Sequence, residues 1–246
     1  MIKLIEALHG VYKIIDKSGG NKIDSENGYF LFHQERYLSI LDVVLKLSKS
    51  QKEIKILEIG SLFCHLPIAL NILGYEACGI DLEIKHEIAE RCKKYNITNK
   101  ECNLLKDKIP FDNNYFDVVI FSETLEHLNF HPLRIFQEIN RILKINGKVI
   151  ITTPNLLRLN NRIKLLIGQS INYDLREEYS IATHFREYSS EEIKYLLQKG
   201  FFKNIKISYK DFNYPGANKA VFITNKIIGF IFSFLKSNII AIGDKK

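Results

Sequence analysis

Short β-branched runs alternate with helical patterns from residue 54 to residue 208, and this alternation confines the chain to an α/β fold with a mainly parallel sheet. The run IKILEI (54–59) reads as a buried strand ended by Gly60, and a helix over 66–73 follows, stopped by Gly74. YEACGI (75–80) is a second strand closing on Asp81, with a charged, solvent-facing helix over 83–94 behind it. A weak third strand is expected over 98–103. The turn-rich IPFDNNYFD then leads to a fourth over 118–121, apolar throughout as a strand covered on both faces requires. A helix over 132–143 has Pro132 in its first turn and Asn146-Gly147 as its stop. Strand five is expected over 148–153, a helix from Ser189 to Gly200, strand six over 203–208, and NIIAIGDKK as a last strand followed by charge.

Three segments fall outside this alternation, so the expected organisation is an N-terminal helical segment (1–50), a core (51–210) with an insertion over 155–187, and a C-terminal helix and last strand (211–246). With 246 residues, 46% hydrophobic and 26% charged, the chain can bury one large core, which excludes a disordered or multispanning membrane protein. The net charge of +7 comes without the blocks of like charge expected of a nucleic-acid arm. Cys64, Cys78, Cys92 and Cys102 form no C-x-x-C pair and read as small core residues rather than zinc ligands, disulfides or nucleophiles, with a reducing cytoplasm as the expected compartment. The first twenty residues lack the apolar core and cleavage site of an export signal.

In order, KILEIGSLFCHLPIAL, YEACGIDLE and ECNLLKDKIPFDNNYFDVVIFSETLEHL resemble the class I S-adenosylmethionine-dependent methyltransferases, a resemblance that covers residues 51–208. GKVIITTPN and HFREYSSEEIKYLLQKGF are similar to the segments that follow in small-molecule and glycan members of that superfamily. The resemblance implies a doubly wound, Rossmann-like sheet of seven strands, the last antiparallel, with S-adenosylmethionine in the crevice beyond the carboxyl ends of the strands. Glu58 and Gly60 end strand one, where a glycine lets the backbone approach the ligand and a carboxylate can meet the methionine ammonium. Asp81 ends strand two, and its implied role is to accept both ribose hydroxyl hydrogens. A dinucleotide would use the same acid but needs a full G-x-G-x-x-G cradle for its pyrophosphate. Only Gly60 is present, which favours a sulfonium cofactor.

Two departures from the family pattern stand out. Where further glycines are usual the chain has Ser61, Leu62, Phe63 and Cys64, so the loop must pass the cofactor with its side chains turned away. Where an acid often binds the adenine amino group stands Asn103, whose amide oxygen can accept the same bond. Together with Ser61, Leu82, Leu104 and Ser122, these residues make up the cofactor-binding set that the resemblance implies.

After strand four, Glu123, His127 and His131 would recur at a helical spacing suited to a divalent metal, but Pro132 restarts the helix and breaks that face. No metal is therefore assigned, and either Glu123, Glu126 or His127 touches cofactor or substrate or the segment is a polar surface turn. His184, Arg186 and Tyr188 would point to one side of an extended stretch, placing a base, a cation and a phenol at the end of the insertion. The alternative pairs Arg186 with Glu187 or Glu191 and packs Tyr188 on the sheet. His127 and His184 are the candidate bases, and Arg158, Arg186 and Tyr188 the candidate substrate contacts.

Residues 156–167 form a basic amphipathic helix, apolar at Leu156, Leu159, Ile163 and Leu166, which suits a lid on the core, a phosphate-bearing substrate or an anionic membrane. The stretch 220–235 is the most apolar, but Lys226 interrupts it and it falls short of the roughly 20 residues that span a bilayer. It suits core packing, a homodimer interface or peripheral membrane contact. The expected activity is methyl transfer to an oxygen, or as a lesser alternative a nitrogen, of a small molecule or of a glycan or lipid-linked intermediate. Two alternatives stay open: an inactive cofactor-binding homologue that acts as a partner or scaffold, and an RNA methyltransferase. Against the latter, and against a nucleic-acid partner, S-E-T-L follows strand four where a catalytic asparagine-proline-proline-type tetrapeptide would stand.

Overall fold

The computed structural model describes residues 1–22, 25–48, 53–172, 183–212, 229 and 231–246. Its centre is a seven-stranded sheet in the order β3-β2-β1-β4-β5-β7-β6. The strands are β1 (Lys55–Ile59), β2 (Glu76–Asp81), β3 (Thr98–Glu101), β4 (Phe116–Ser122), β5 (Leu143–Pro154), β6 (Phe202–Lys210) and β7 (Asn238–Lys245). β1 to β5 pair in parallel, and β7 runs antiparallel between β5 and β6. The chain order reverses direction across the sheet between β1 and β4, so the carboxyl ends of those two strands flank the switch point where α/β proteins bind ligands.

Alternation along the buried strands decides which helices cover which face. Ile56, Val118, Ile120 and Ile150 pack with α1 (Ile2–Ile14), α2 (Glu26–Ser48) and α3 (His65–Ile72), through Leu8, Phe30, Leu41 and Ile68. Leu57, Ile59, Val119, Phe121 and Ile151 point the other way, onto Phe136 and Ile139 of α5 (Leu133–Ile142) and Leu197 of α7 (Ser190–Lys199). Ser189 accepts from the Glu192 amide while the Glu192 carboxylate accepts from Ser189, the capping box that starts α7.

Several boundaries differ from the sequence reading. α5 ends at Ile142 and β5 begins at Leu143, so Asn146-Gly147 lies inside the strand rather than stopping the helix. Asn146 takes φ +62° there, and the register against β4 shifts between Phe116 and Val118, which absorbs the extra residues. β3 stops at Glu101, leaving Asn103 in the following turn. The helix expected over 83–94 is α4 (His86–Lys94); it buries Ile88 and Cys92, so one face packs inward. The basic amphipathic helix is α6 (Leu159–Leu166), and it does not close over the core: Asn161 is its one buried residue, and Ile163 and Leu166 are exposed.

The four cysteines are free and buried. Most of 220–235 lies outside the described residues, and among the described residues no helix is long and apolar enough to cross a membrane.

Candidate functional site at the carboxyl ends of β1, β2 and β4

The loop after β1 is built by close backbone approach. Gly60 and Ser61 donate their amides to the Ile80 carbonyl at 2.9 and 3.0 Å, which ties the loop to β2. Gly60 has φ +76°, and a Cβ there would stand 2.2 Å from Thr124 Oγ1, so only glycine lets the loop lie against the turn after β4. Leu62 and Cys64 hold φ values of +41° and +58°. The chain thus keeps a glycine-like path at two positions without glycine, at a backbone cost of roughly 1–2 kcal/mol for each left-handed residue. The Ser61 hydroxyl turns toward the sheet, 3.2 Å from Asn99 Oδ1.

Asp81 receives the Leu62 amide at 2.6 Å and the Leu82 amide at 2.7 Å, one on each carboxylate oxygen. These bonds orient the carboxylate and leave it lone pairs for a pair of vicinal hydroxyls. Burial raises its pKa against the pull of the amides of Leu62, Leu82 and Glu83. Leu82 itself is exposed. The Asn103 amide oxygen accepts from Leu105 at 3.0 Å, so one of its lone pairs serves the local turn, with Leu104 beside it.

Glu58, on the α2 side of β1, is buried and forms no hydrogen bond through its carboxylate among the described residues. Burial pushes its carboxyl well above the ordinary range, with Arg36 opposing and Asp81 adding to the shift. Arg36 comes from α2 and is 3% exposed. One of its nitrogens lies 3.4 Å from the Tyr29 hydroxyl and another 3.8 Å from a Glu123 carboxylate oxygen, while Nε and Nη1 make no hydrogen bond among the described residues. A buried guanidinium with donors to spare, next to a buried unbonded carboxylate, matches the zwitterionic end of an amino acid: the cation for its carboxylate, the anion for its ammonium. Arg36 escapes a reading of the sequence because it sits in the polar stretch His33-Gln34-Glu35-Arg36 of a helix remote from the strand-end motifs.

Beyond β4, Thr152 Oγ1 donates to Glu123 at 2.9 Å, so the 2.7 Å contact between Ser122 and Thr152 is donated by Ser122. Ser122 is therefore spent on orienting Glu123. The chain next makes a single 3₁₀ turn, Leu125–His127, and is extended again at Leu128. Glu123, His127 and His131 consequently share no helical face, and His131 is exposed.

His184 takes the position beside His127, their ring centroids 4.9 Å apart and nearly perpendicular. The Glu126 carbonyl accepts from the amides of Phe185 at 2.8 Å and Arg186 at 3.3 Å, which holds the end of the insertion against the β4 turn. His127 Nδ1 is 2.8 Å from the Thr183 carbonyl, and burial, with His184 next, lowers its pKa to about 4. The Glu126 carboxylate is fully buried; Oε2 accepts from Thr153 at 3.0 Å, and Oε1 has no partner among the described residues. Burial, followed by the charge of Glu123, drives its pKa well up.

The two arginines expected to meet substrate are engaged elsewhere. Arg158 pairs with Glu187, and Arg186 with Glu192 of the capping box while lying 5.2 Å over the Tyr188 ring. Tyr188 is buried and bridges to Asn155, so it packs on the sheet.

Comparison with known proteins gives concordant results. Residues 31–207 match a methyltransferase-domain family. An uncharacterized protein of Methanocaldococcus jannaschii is 32% identical over 145 residues, 56% of this chain and 52% of that protein. The chain spans about half the length of the curated relatives it matches. Among solved structures, an S-adenosylmethionine-dependent methyltransferase of Thermotoga maritima, a possible histamine N-methyltransferase, superposes with a TM-score of 0.61 at 19% identity over 98% of this chain and 100% of that one. The Haemonchus contortus phosphoethanolamine N-methyltransferase 2, in complex with phosphomonomethylethanolamine and S-adenosylhomocysteine, superposes with a TM-score of 0.57 at 20% identity over 86% of this chain and 52% of that one. At these identities the superpositions speak for the fold.

Proposed function

Since the chain belongs to the methyltransferase-domain family of the class I S-adenosylmethionine-dependent superfamily, we propose that it transfers the methyl group of S-adenosylmethionine to an oxygen of a small molecule or of a glycan or lipid-linked intermediate. The observation that carries this reading is the convergence, at one crevice, of Gly60, Asp81, Glu58 and Arg36 on one side and His127 and His184 on the other.

When bound, S-adenosylmethionine supplies a sulfonium methyl group open to in-line displacement. Asp81 would hold the ribose hydroxyls, Asn103 and Leu104 the adenine edge, and Glu58 and Arg36 the methionine ammonium and carboxylate. This fit rests on the unbonded donors of Arg36 and on the buried carboxyl of Glu58 beside them. His127 and His184 face the acceptor, where the Nε2 lone pair of His127 can receive a hydrogen bond from an acceptor hydroxyl and fix its approach. Arg158 and Arg186 are already neutralised by Glu187 and Glu192, which favours an acceptor without dense phosphate charge over RNA.

Calorimetric titration with S-adenosylhomocysteine tests the cofactor half of the proposal. Incorporation of labelled methyl into hydroxylated small molecules, lipid-linked glycans and RNA tests the acceptor. Label confined to RNA would reject the reading, as would failure to bind S-adenosylhomocysteine.

A further inference from the structure

We propose that Glu126, His127 and His184 hold a divalent cation at the acceptor side of the crevice, and that the acceptor is a hydroxyl compound which binds that cation through oxygen. The inference rests on the methyltransferase reading for its acceptor but not for the cation site itself.

One carboxylate oxygen and one nitrogen from each imidazole lie within 4.8 Å of one another. Donors about 2.1 Å from a common ion stand at most about 4.2 Å apart, so an inward shift of well under 1 Å per side chain brings all three onto one ion. The outer ring positions are set for this. His127 Nδ1 is taken by the Thr183 carbonyl at 2.8 Å, and His184 Nδ1 faces Glu187 Oε1 at 3.8 Å. Each ring is thereby left with Nε2 to present, and pairing of the far nitrogen with a carbonyl or carboxylate is the usual support of a metal-bound histidine.

Two further observations point to a cation. Glu126 Oε1 is fully buried and has no partner among the described residues, a position a protein interior seldom leaves unfilled. Glu58, Glu123 and Glu126 also bring three carboxyl groups, buried or nearly so, to the neighbourhood of Arg36, an oxygen-rich setting that suits a divalent ion.

Two imidazoles and a carboxylate suit Mn²⁺, Co²⁺ or Zn²⁺ better than Mg²⁺, which prefers oxygen. With three protein ligands an octahedral ion keeps open positions, and an acceptor with adjacent oxygens fills them, the ion then standing in place of the direct hydrogen bond from the acceptor hydroxyl to His127 Nε2. The site is absent from the helical pattern of the sequence because His184 joins it across the fold, held there by the Glu126 carbonyl.

The test uses the full chain, stripped with chelator and titrated with Mn²⁺ by paramagnetic resonance and with Co²⁺ by visible absorption, with and without S-adenosylhomocysteine. We expect about one ion per chain, with affinity lowered roughly tenfold or more in Glu126→Gln and in His184→Ala, and unchanged in His131→Ala. His184 is partly exposed, so its variant stays informative even if Glu126→Gln does not fold. Binding of S-adenosylhomocysteine without uptake of either ion overturns the cation site alone, as does uptake that both variants retain. Failure to bind S-adenosylhomocysteine counts against the methyltransferase reading, whatever the ions do.

Discussion

His127 Nδ1 lies 2.8 Å from the carbonyl oxygen of Thr183, and because a carbonyl only accepts, the ring proton resides on Nδ1 and Nε2 carries the lone pair. Burial and the neighbouring His184 keep this ring neutral, with its pKa lowered to about 4. Burial also lowers the pKa of His65. For these two rings the unfolded chain binds more protons than the folded one below about pH 6.5, and for His127 down to about pH 4, so their contribution is full above that window and is lost as pH drops through it, while the raised carboxyls of Glu58 and Glu126 act in the opposite sense. His127→Gln removes one of these titrations and should make the change in melting temperature from pH 7.5 to pH 4.5 less unfavourable by about 5 °C, on the order of 2 kcal/mol for a chain of this size. The same change in wild type and variant would place His127 in a more solvated setting.

The Asp81 carboxylate, aligned by the amides of Leu62 and Leu82, is expected to carry the ribose contact. Removing charge-assisted bonds worth about 1.5–3 kcal/mol should weaken S-adenosylhomocysteine binding about tenfold or more in Asp81→Ala. Equal affinities in calorimetry would move the ribose elsewhere.

Gly60 and Asp81 are legible in the sequence because each closes a short strand, and strand ends in a parallel sheet are where ligands bind. The mainly parallel sheet follows from the same alternation, and its seven strands with the last antiparallel follow from the family resemblance, whereas the order of the strands is read from the structure. The rest of the site is written in contacts between distant segments. Arg36 reaches the crevice only because α2 lies across the face of the sheet, and nothing in its own neighbourhood in the chain separates it from a surface arginine. His127 and His184 each draw notice in the sequence, but their proximity depends on the Glu126 carbonyl capturing the amides of Phe185 and Arg186. The 3₁₀ turn after β4 likewise replaces the helical face that Glu123, His127 and His131 would share, since the chain is extended by Leu128, before Pro132 is reached.

Arg36 offers a test that separates the two ends of the cofactor. In Arg36→Lys the charge persists but the planar fork is lost, so S-adenosylhomocysteine should bind about tenfold more weakly. Methylthioadenosine, which has no amino-acid carboxylate, should bind the variant and the wild type alike. A similar loss for both ligands would make Arg36 a structural residue only.

At Leu62, φ is +41°, in the left-handed region that costs a residue with a side chain roughly 1–2 kcal/mol. Leu62 is only partly buried, so Leu62→Gly gives up little packing. The variant should be as stable as the wild type or more stable by up to about 1 kcal/mol, read from urea unfolding. A loss of more than about 1 kcal/mol would mean that Leu62 packing outweighs the backbone strain.

The helix that delivers Arg36 is itself anchored by Glu26, a buried carboxylate at its first residue. Glu26 takes a forked pair from Arg91 of α4, accepts from His65 Nε2 of α3 at 3.1 Å, and accepts from the Asp16 amide at 3.1 Å. Since His65 gives its Nε2 proton to Glu26, its Nδ1 accepts from the Tyr37 hydroxyl at 3.2 Å, which closes a network across α2, α3 and α4. Hydrogen bonds from His65 and Arg91 outweigh burial and hold the Glu26 pKa at about 2, so its contribution persists above pH 4.5 and is lost only as the pH falls toward 2. Glu26→Met would strand the Arg91 charge and should cost about 3 kcal/mol, whereas Glu26→Met with Arg91→Met, which removes both charges, should recover part of that loss. Because the same helix carries Arg36, the single variant should also weaken S-adenosylhomocysteine binding although Glu26 never touches the crevice. A single variant that melts several degrees lower while binding S-adenosylhomocysteine at full strength would show that the anchoring of α2 and the placement of Arg36 are independent.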